Sequence, residues 1–324
     1  MIVVTTREGS VPGVNPCPFP FRFGVQSRTA GPRDTWLEAI RKVEALGYGS
    51  VSWPDHFVRG FEPVAVLSAA AIATERLRLT GFVFDNDFRH PVVLAMSAGS
   101  IDILSGGRLE LGLGAGWLKD EYDQSGIPFE PPSVRIARLQ EAVTLLKLLL
   151  SGEPTTFHGD FYTVTDLTLP PAPVQRPHPP ILIGGGSKKI LSLAGREANI
   201  VGITNRALPD GSKDMQDVTA AATERKIAWV REAAGDRFPE IELNIICSTV
   251  EITNDRRAAA ERIAANLPIT AEEVLESPSM LIGTVDEIME TLQERRVRYG
   301  FSYFVILEPV MEAFSPVVAA LAGK

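Results

Sequence analysis

Two cysteines in 324 residues, Cys17 and Cys247, are too few for a disulfide framework. They match no metal spacing either, so a reducing, cytoplasmic setting is expected. Lysine and arginine (32) are outnumbered by aspartate and glutamate (40), leaving a net charge of −8. That balance offers no basic patch for neutralising phosphates and argues against a nucleic-acid binder. A small anionic ligand needs only a local pocket of donors and stays open. Long apolar runs are missing as well: Leu145–Leu150 is too short for a bilayer and carries Lys147. Met1–Glu8 has no apolar stretch of signal-peptide kind. No membrane association is expected. Histidine is scarce, with four in the chain, so each can be weighed.

What is present is ordinary core material, 45% apolar and 22% charged. The length allows two average domains or one large α/β barrel. Residues 1–20, rich in Pro and Gly, read as a loose arm before a single domain over residues 21–324. Four strand-then-helix units follow: Phe21–Ser27 and Asp34–Leu46, Ser50–Trp53 and Pro63–Thr74, Leu77–Phe84 and Pro91–Leu104, Arg108–Leu113 and Ser133–Leu150. Asp34 is a plausible N-cap of the first helix. Such alternation demands a mainly parallel sheet wrapped by helices. Phe157–Val164, centred on Gly159-Asp160, looks like an inserted hairpin. The rhythm then resumes with strands Ile181–Ile183, Ile200–Ile203, Ile241–Ile252 and Ser302–Leu307. The intervening helices are Lys188–Glu197, Asp217–Ala234 and Asp286–Arg298. A doubly wound sheet would want a Gly-x-Gly-x-x-Gly cradle after its first strand, where Arg28-Thr29-Ala30 stands. Eight units therefore predict a (β/α)₈ TIM barrel.

In such barrels the chemistry gathers on loops at the carboxyl ends of the strands. His56, beside Asp55 after the second strand, can exchange a proton near neutral pH, though a loop histidine that merely bonds backbone is as good a reading. His90 before Pro91, His158 and His178 read as structural. Gly184, Gly185 and Gly186, with Ser187 and Lys188, open a helix straight after a strand. Bare amides at the positive end of a helix make a phosphate seat, a stronger reading than a tight turn alone. Gly114 and Gly116 let a flat ring approach the backbone, with Trp117 as a wall; close packing with Trp117 as a core plug is equally admissible. Asp85 and Asp87 lack a third ligand nearby, so no metal is expected.

Taken in series, several segments resemble the luciferase-like monooxygenase superfamily, and in particular its coenzyme F420-dependent oxidoreductase branch. They are Trp53-Pro54-Asp55-His56-Phe57, Asn86-Asp87-Phe88-Arg89-His90-Pro91 and Leu104 through Gly112. Gly114-Ala115-Gly116-Trp117 with Glu121-Tyr122, Pro171 through Ile181, and the Gly184–Ser187 turn complete the set. The resemblance implies a flavin or deazaflavin ring at the barrel mouth, with His56 as base and Asp55 near the ring. It implies cofactor contacts from Gly81, Phe82, Val83, Asn86, Gly114, Gly116 and the Gly184–Lys188 turn. A non-prolyl cis peptide around Gly81–Val83 is implied too. Trp117 stands where the sugar-phosphate dehydrogenases of that branch carry a carboxylate, which shifts the expected substrate towards apolar or planar molecules. Trp53, Trp117 and Tyr122 are the expected substrate-side residues.

The expected activity is hydride transfer between F420 and a small organic substrate, with Asp55 orienting His56. The alternatives are an FMN-dependent monooxygenase using a partner reductase and O2, and a flavin- or deazaflavin-binding protein without turnover. A phosphosugar isomerase or aldolase barrel is disfavoured, because no strand end offers a Schiff-base lysine. The resemblance implies a homodimer. Loops 205–213 and 267–279 read as mobile lids over the substrate.

Overall fold

The computed structural model describes residues 17–58 and 60–324, so most of the expected arm, residues 1–16, lies outside the described residues. The chain runs β1 (Arg22–Gln26), α1 (Arg33–Ala45), β2 (Ser50–Trp53), α2 (Pro63–Ala73), β3 (Arg78–Gly81), β4 (Phe84–Asp85) and α3 (Pro91–Leu104). It continues with β5 (Leu109–Gly114), α4 (Lys119–Ser125), α5 (Pro132–Leu150), β6 (Thr155–His158), β7 (Thr163–Leu167), β8 (Ile181–Gly185), α6 (Lys188–Glu197) and β9 (Ile200–Ile203). The last third holds α7 (Ala220–Ala234), β10 (Glu242–Cys247), β11 (Thr249–Ile252), α8 (Arg256–Ala264), α9 (Ala271–Glu276), β12 (Met280–Gly283), α10 (Val285–Tyr299), β13 (Phe301–Leu307) and α11 (Met311–Leu321).

All neighbours in the main sheet are parallel, in the order β3-β2-β1-β13-β10-β9-β8-β5-β4, and β3 also pairs with β5. The sheet therefore closes on itself. Since β3 and β4 are two pieces of one position, the ring has eight strands with helices outside: a (β/α)₈ barrel. Local chemistry agrees with the topology. Pro63 follows an N-cap, Glu62, whose carboxylate accepts from the Ala65 amide at 2.7 Å. The His90 ring caps α3 by accepting from the Val92 amide at 3.2 Å. Reciprocal capping boxes, Thr270/Glu273 and Thr284/Glu287, start α9 and α10.

Several boundaries depart from the sequence reading. Asp34 is not an N-cap: Pro32 holds that position, and Asp34 sits in the first turn, paired with Arg33. The third strand, read as Leu77–Phe84, is divided into β3 and β4 at a cis Phe82–Val83 peptide, within the Gly81–Val83 stretch where the resemblance implied one. Ile241–Ile252 is not one strand, because the chain leaves the barrel after Cys247 and β11 pairs instead with β12. That pair, with α8 and α9, encloses a satellite core containing Val218, Ala260, Val274 and Met280. Segment 267–279 thus holds a helix and a buried valine. The hairpin is longer than expected, β6 pairing antiparallel with β7 from Thr155 to Leu167.

Glycines make room for the interruption in the third strand. A Cβ on Gly112 would lie 2.0 Å from the Gly81 carbonyl oxygen, and one on Gly114 would lie 2.5 Å from Val83 Cγ2. Backbone cannot step aside as a flexible side chain can. Gly112→Ala is therefore expected to destabilise the barrel by about 1–3 kcal/mol or more, read from the urea midpoint. An unchanged midpoint would show that β3 and β5 approach less closely.

The amino-terminal end of the barrel is plugged by charge. Arg22 donates to Glu110 Oε1 at 2.5 Å and, through two nitrogens, to Glu242 at 2.5 and 3.2 Å. Arg78 reaches the same Glu110 oxygen at 2.5 Å, and the Thr80 hydroxyl donates to Oε2 at 3.0 Å. The Arg22 guanidinium also lies 3.7 Å from the centroid of the Tyr303 ring. Burial works to raise the Glu110 carboxyl, but Arg22 and Arg78 win and hold it below the usual carboxylate range. Sequence periodicity carries no sign of this network, whose members are scattered over five strands.

Candidate active site

At the opposite, carboxyl end of the strands lies a cavity of about 570 Å³, within the range of small-molecule and cofactor sites. The loops after β2, β5, β8, β9 and β10 all contribute to its wall. Apolar surface comes from Phe82, Val83, Ile136, Ile203 and Ile245. Val83 packs beside Gly114 and Gly184; a Cβ added to Gly184 would lie 3.4 Å from Val83 Cγ1.

His56 lines this cavity, with its side chain 14% exposed. Its Nδ1 lies 2.7 Å from Glu121 Oε2, and Glu121 is buried. A carboxylate only accepts, so Nδ1 carries the hydrogen and Nε2 presents a lone pair. Among the described residues, the other Glu121 oxygen has no hydrogen-bond partner. Asp55, the expected orienting group, is engaged elsewhere. Arg89 grips it with both terminal nitrogens, and it accepts from the Asp85 amide at 3.0 Å. The carboxylate on His56 therefore arrives from α4, after the fourth barrel strand. Glu121 stands in one of the resembling motifs but carries no local signal of its partner, 65 residues away in sequence.

Of the other expected residues, Phe82, Val83, Gly114, Gly116, Trp117, Gly184, Gly185, Gly186 and Ser187 line the cavity. Gly81, Asn86, Lys188, Trp53 and Tyr122 are not part of that lining. Gly81 makes room for the Phe84 ring, which would lie 2.3 Å from an added Cβ. Asn86 donates to the Tyr162 hydroxyl at 3.2 Å. Lys188 extends outward to Glu232 at 3.3 Å. Trp53 is buried against Trp36, with ring centroids 6.1 Å apart. Tyr122 lies behind Gly116, its hydroxyl 2.8 Å from Asp85 Oδ2. Residues that the sequence reading did not single out also line the cavity: Gln26, Arg135, Lys213, Asp217 and Lys226. Arg135 donates to the carbonyls of Ala115 (2.7 Å) and Gly116 and so fixes the exit loop of β5. Gln26 donates to the Phe82 carbonyl at 3.4 Å.

The turn before α6 fits a phosphate group, for a reason narrower than its three glycines. A Cβ on Gly185 would strike Ile190 at 2.2 Å, and one on Gly186 the Arg206 amide at 2.5 Å, so both are needed for packing. Gly184 faces open space beyond ordinary contact with Val83. Ser187, the N-cap, makes no side-chain capping bond, so its hydroxyl and the first-turn amides of α6 are available at a cavity wall.

Asp85 is the most displaced carboxyl in the site. Burial first, with Asp87 and Asp55 adding like charge, pushes it up to about 7, against the opposing bonds from the Asp87 amide and Tyr122. The folded protein then retains a proton that the unfolded chain releases near its ordinary value of 3.8. Stability from this group is complete below that value and is lost as pH rises through about 7. Asp85→Asn should therefore gain on the parent as pH rises from 4 to 8. Urea midpoints of both proteins across that range check it; a constant difference would refute it.

The chain belongs to the luciferase-like monooxygenase family, whose model matches residues 18–299. Among curated relatives, it is 31% identical over 248 residues to an FMNH2-dependent dimethylsulfone monooxygenase of Pseudomonas putida, covering 74% of this chain and 65% of that one. It is 35% identical over 179 residues to an F420-dependent glucose-6-phosphate dehydrogenase of Intrasporangium calvum, covering 52% and 53%. The matches thus span between about half and two thirds of these relatives' lengths. Among solved structures, coenzyme F420-dependent tetrahydromethanopterin reductase of Methanopyrus kandleri shares the fold, with TM-score 0.75, 18% identity and coverage of 94% and 99%. An F420-dependent secondary alcohol dehydrogenase does so with TM-score 0.72, 20% identity and the same coverage. The relatives include both F420-dependent and FMN-dependent enzymes.

Proposed function

We propose that this protein is an F420-dependent oxidoreductase that moves a hydride between the deazaflavin and a small organic substrate. The observation that carries the reading is the His56–Glu121 pair, 2.7 Å apart, with the histidine facing the cavity. When bound, a deazaflavin would supply a two-electron hydride acceptor or donor. The Ser187 hydroxyl and the α6 amides would hold its phosphate, with the Phe82–Val83 segment beside the ring. His56 Nε2 would take the proton of a substrate hydroxyl as its carbon gives up hydride, and return it in the reverse direction. Glu121 would keep the ring in the required tautomer and stabilise the imidazolium formed. Asp55, held by Arg89, would shape the wall without touching His56.

A second reading, an FMN monooxygenase served by a reductase and O2, is favoured by the dimethylsulfone monooxygenase match, the longer of the two. Titration of the purified apoprotein with F420 and with FMN separates the readings, since the two oxidised rings have distinct spectra. Saturable binding of F420, tighter than that of FMN, is the expected result. Preference for FMN would transfer the assignment to the second reading, and binding of neither would remove both.

A further inference from the structure

Lys213 is the group in the cavity whose charge is least accounted for. The loop after β9 folds into a small hairpin: Ala207 bridges Lys213, the Leu208 amide donates to Ser212 at 2.9 Å, and the Asp214 amide donates to Arg206 at 2.9 Å. The hairpin packs on the exit loop of β5, where a Cβ on Gly211 would lie 2.8 Å from the Lys119 amide and 3.2 Å from the Trp117 carbonyl. Lys213 is thereby carried to the cavity wall, its ammonium 4.3 Å from the centroid of the Trp117 ring. Among the described residues it has no carboxylate or hydrogen-bond acceptor. Trp117 in turn meets the His56 ring edge-on, with centroids 5.9 Å apart.

The neighbouring lysine is different. Lys226 is buried and paired, 2.7 Å from Asp217 Oδ2 and 2.7 Å from the Asp217 carbonyl. Asp217 is thus taken by Lys226, with Arg225 a further 3.8 Å contact, and Lys213 keeps its positive charge without an ion pair among the described residues. Burial first, and Lys226 second, bring the Lys213 ammonium down to about 8, the response of a cation short of a counter-charge. The indole face compensates a cation only in part, and a half-buried charge is stabilised by pairing.

We infer that Lys213 anchors an oxyanion of the substrate, a carboxylate, sulfonate or phosphate ester, across Trp117 from the proton-transferring His56. This inference rests on the proposed function and names the class of substrate that site takes. It corrects the apolar expectation drawn from Trp117: the indole supplies a flat apolar wall for the substrate's body, and Lys213 supplies the charge at its end.

The test uses hexanoate and 1-hexanol as probes of equal chain length, titrated into the whole protein by calorimetry, with no turnover needed. Hexanoate should bind the parent protein about 10- to 100-fold more tightly than hexanol. Lys213→Met, which keeps the stem and removes the charge, should abolish that preference, and Lys213→Arg should keep most of it. Equal binding of the two probes to the parent, or a preference that survives in Lys213→Met, would overturn the inference. The same variants titrated with F420 and FMN should show unchanged cofactor affinity. A fall there would assign Lys213 to the cofactor's own phosphate and overturn the substrate anchor while leaving the hydride-transfer reading standing. A protein that binds neither ring would end that reading, yet the probe preference would still decide whether Lys213 is an anion anchor.

Discussion

His56→Ala should lower turnover about 10²-fold or more while leaving cofactor affinity within about twofold of the parent. The reason lies in the division of contacts. His56 is held by one carboxylate at Nδ1 and presents Nε2 to the cavity, so its removal deletes a proton acceptor without disturbing the turn before α6. The measurement is reduction of bound deazaflavin by a panel of small alcohols, followed by loss of its visible absorbance. Added imidazole should restore part of the activity, because the void left by the side chain opens on the cavity; a purely structural histidine would not be rescued in this way. Glu121→Gln should retain a bond to Nδ1 but lose the anion that stabilises the imidazolium, costing about 10-fold or more in turnover. Full activity in His56→Ala would remove the residue from the mechanism.

Glu110→Ala should lower the unfolding free energy by about 3–5 kcal/mol. Its carboxylate stands between Arg22 and Arg78 inside the barrel's closed end. Without it, Arg22 keeps Glu242 as its carboxylate, while Arg78 is left, among the described residues, with the carbonyl of Leu109 and the Gln175 amide oxygen as acceptors. Glu110→Gln keeps volume and one acceptor and should lose less. Urea denaturation followed by tryptophan fluorescence reads both. A loss below about 1 kcal/mol in the alanine variant would show that water, not this carboxylate, compensates the arginines.

The barrel was legible because the hydrophobic runs alternate with helical segments eight times, and each unit is decided locally. What escaped was set by contacts between distant residues. The departure of the chain after Cys247 is one such case, because Val250 and Ile252 continue the apolar pattern while the barrel strand does not; the cis Phe82–Val83 bond, by contrast, falls where the family resemblance implied one. His56 and the Gly184–Ser187 turn were legible from position, at strand ends where a barrel gathers its site. Asp55 is adjacent to His56 in sequence, but its carboxylate is taken by Arg89 and the Asp85 amide, partners more than twenty residues away that adjacency does not reveal. Arg135 and Lys213 reach the cavity wall, and Glu121 reaches His56, only through the fold; their partners are not given by local sequence spacing.

The union of His56 with Glu121 joins a residue following the second barrel strand to one following the fourth. Neither segment holds the pair alone, and the intervening third strand must have taken its place before they meet. The contact proposed to serve proton transfer is thus a product of assembling β2, β3 and β5 side by side. A chain that has not yet laid β5 beside β3 would carry the Trp53–Phe57 signature with its imidazole unanchored.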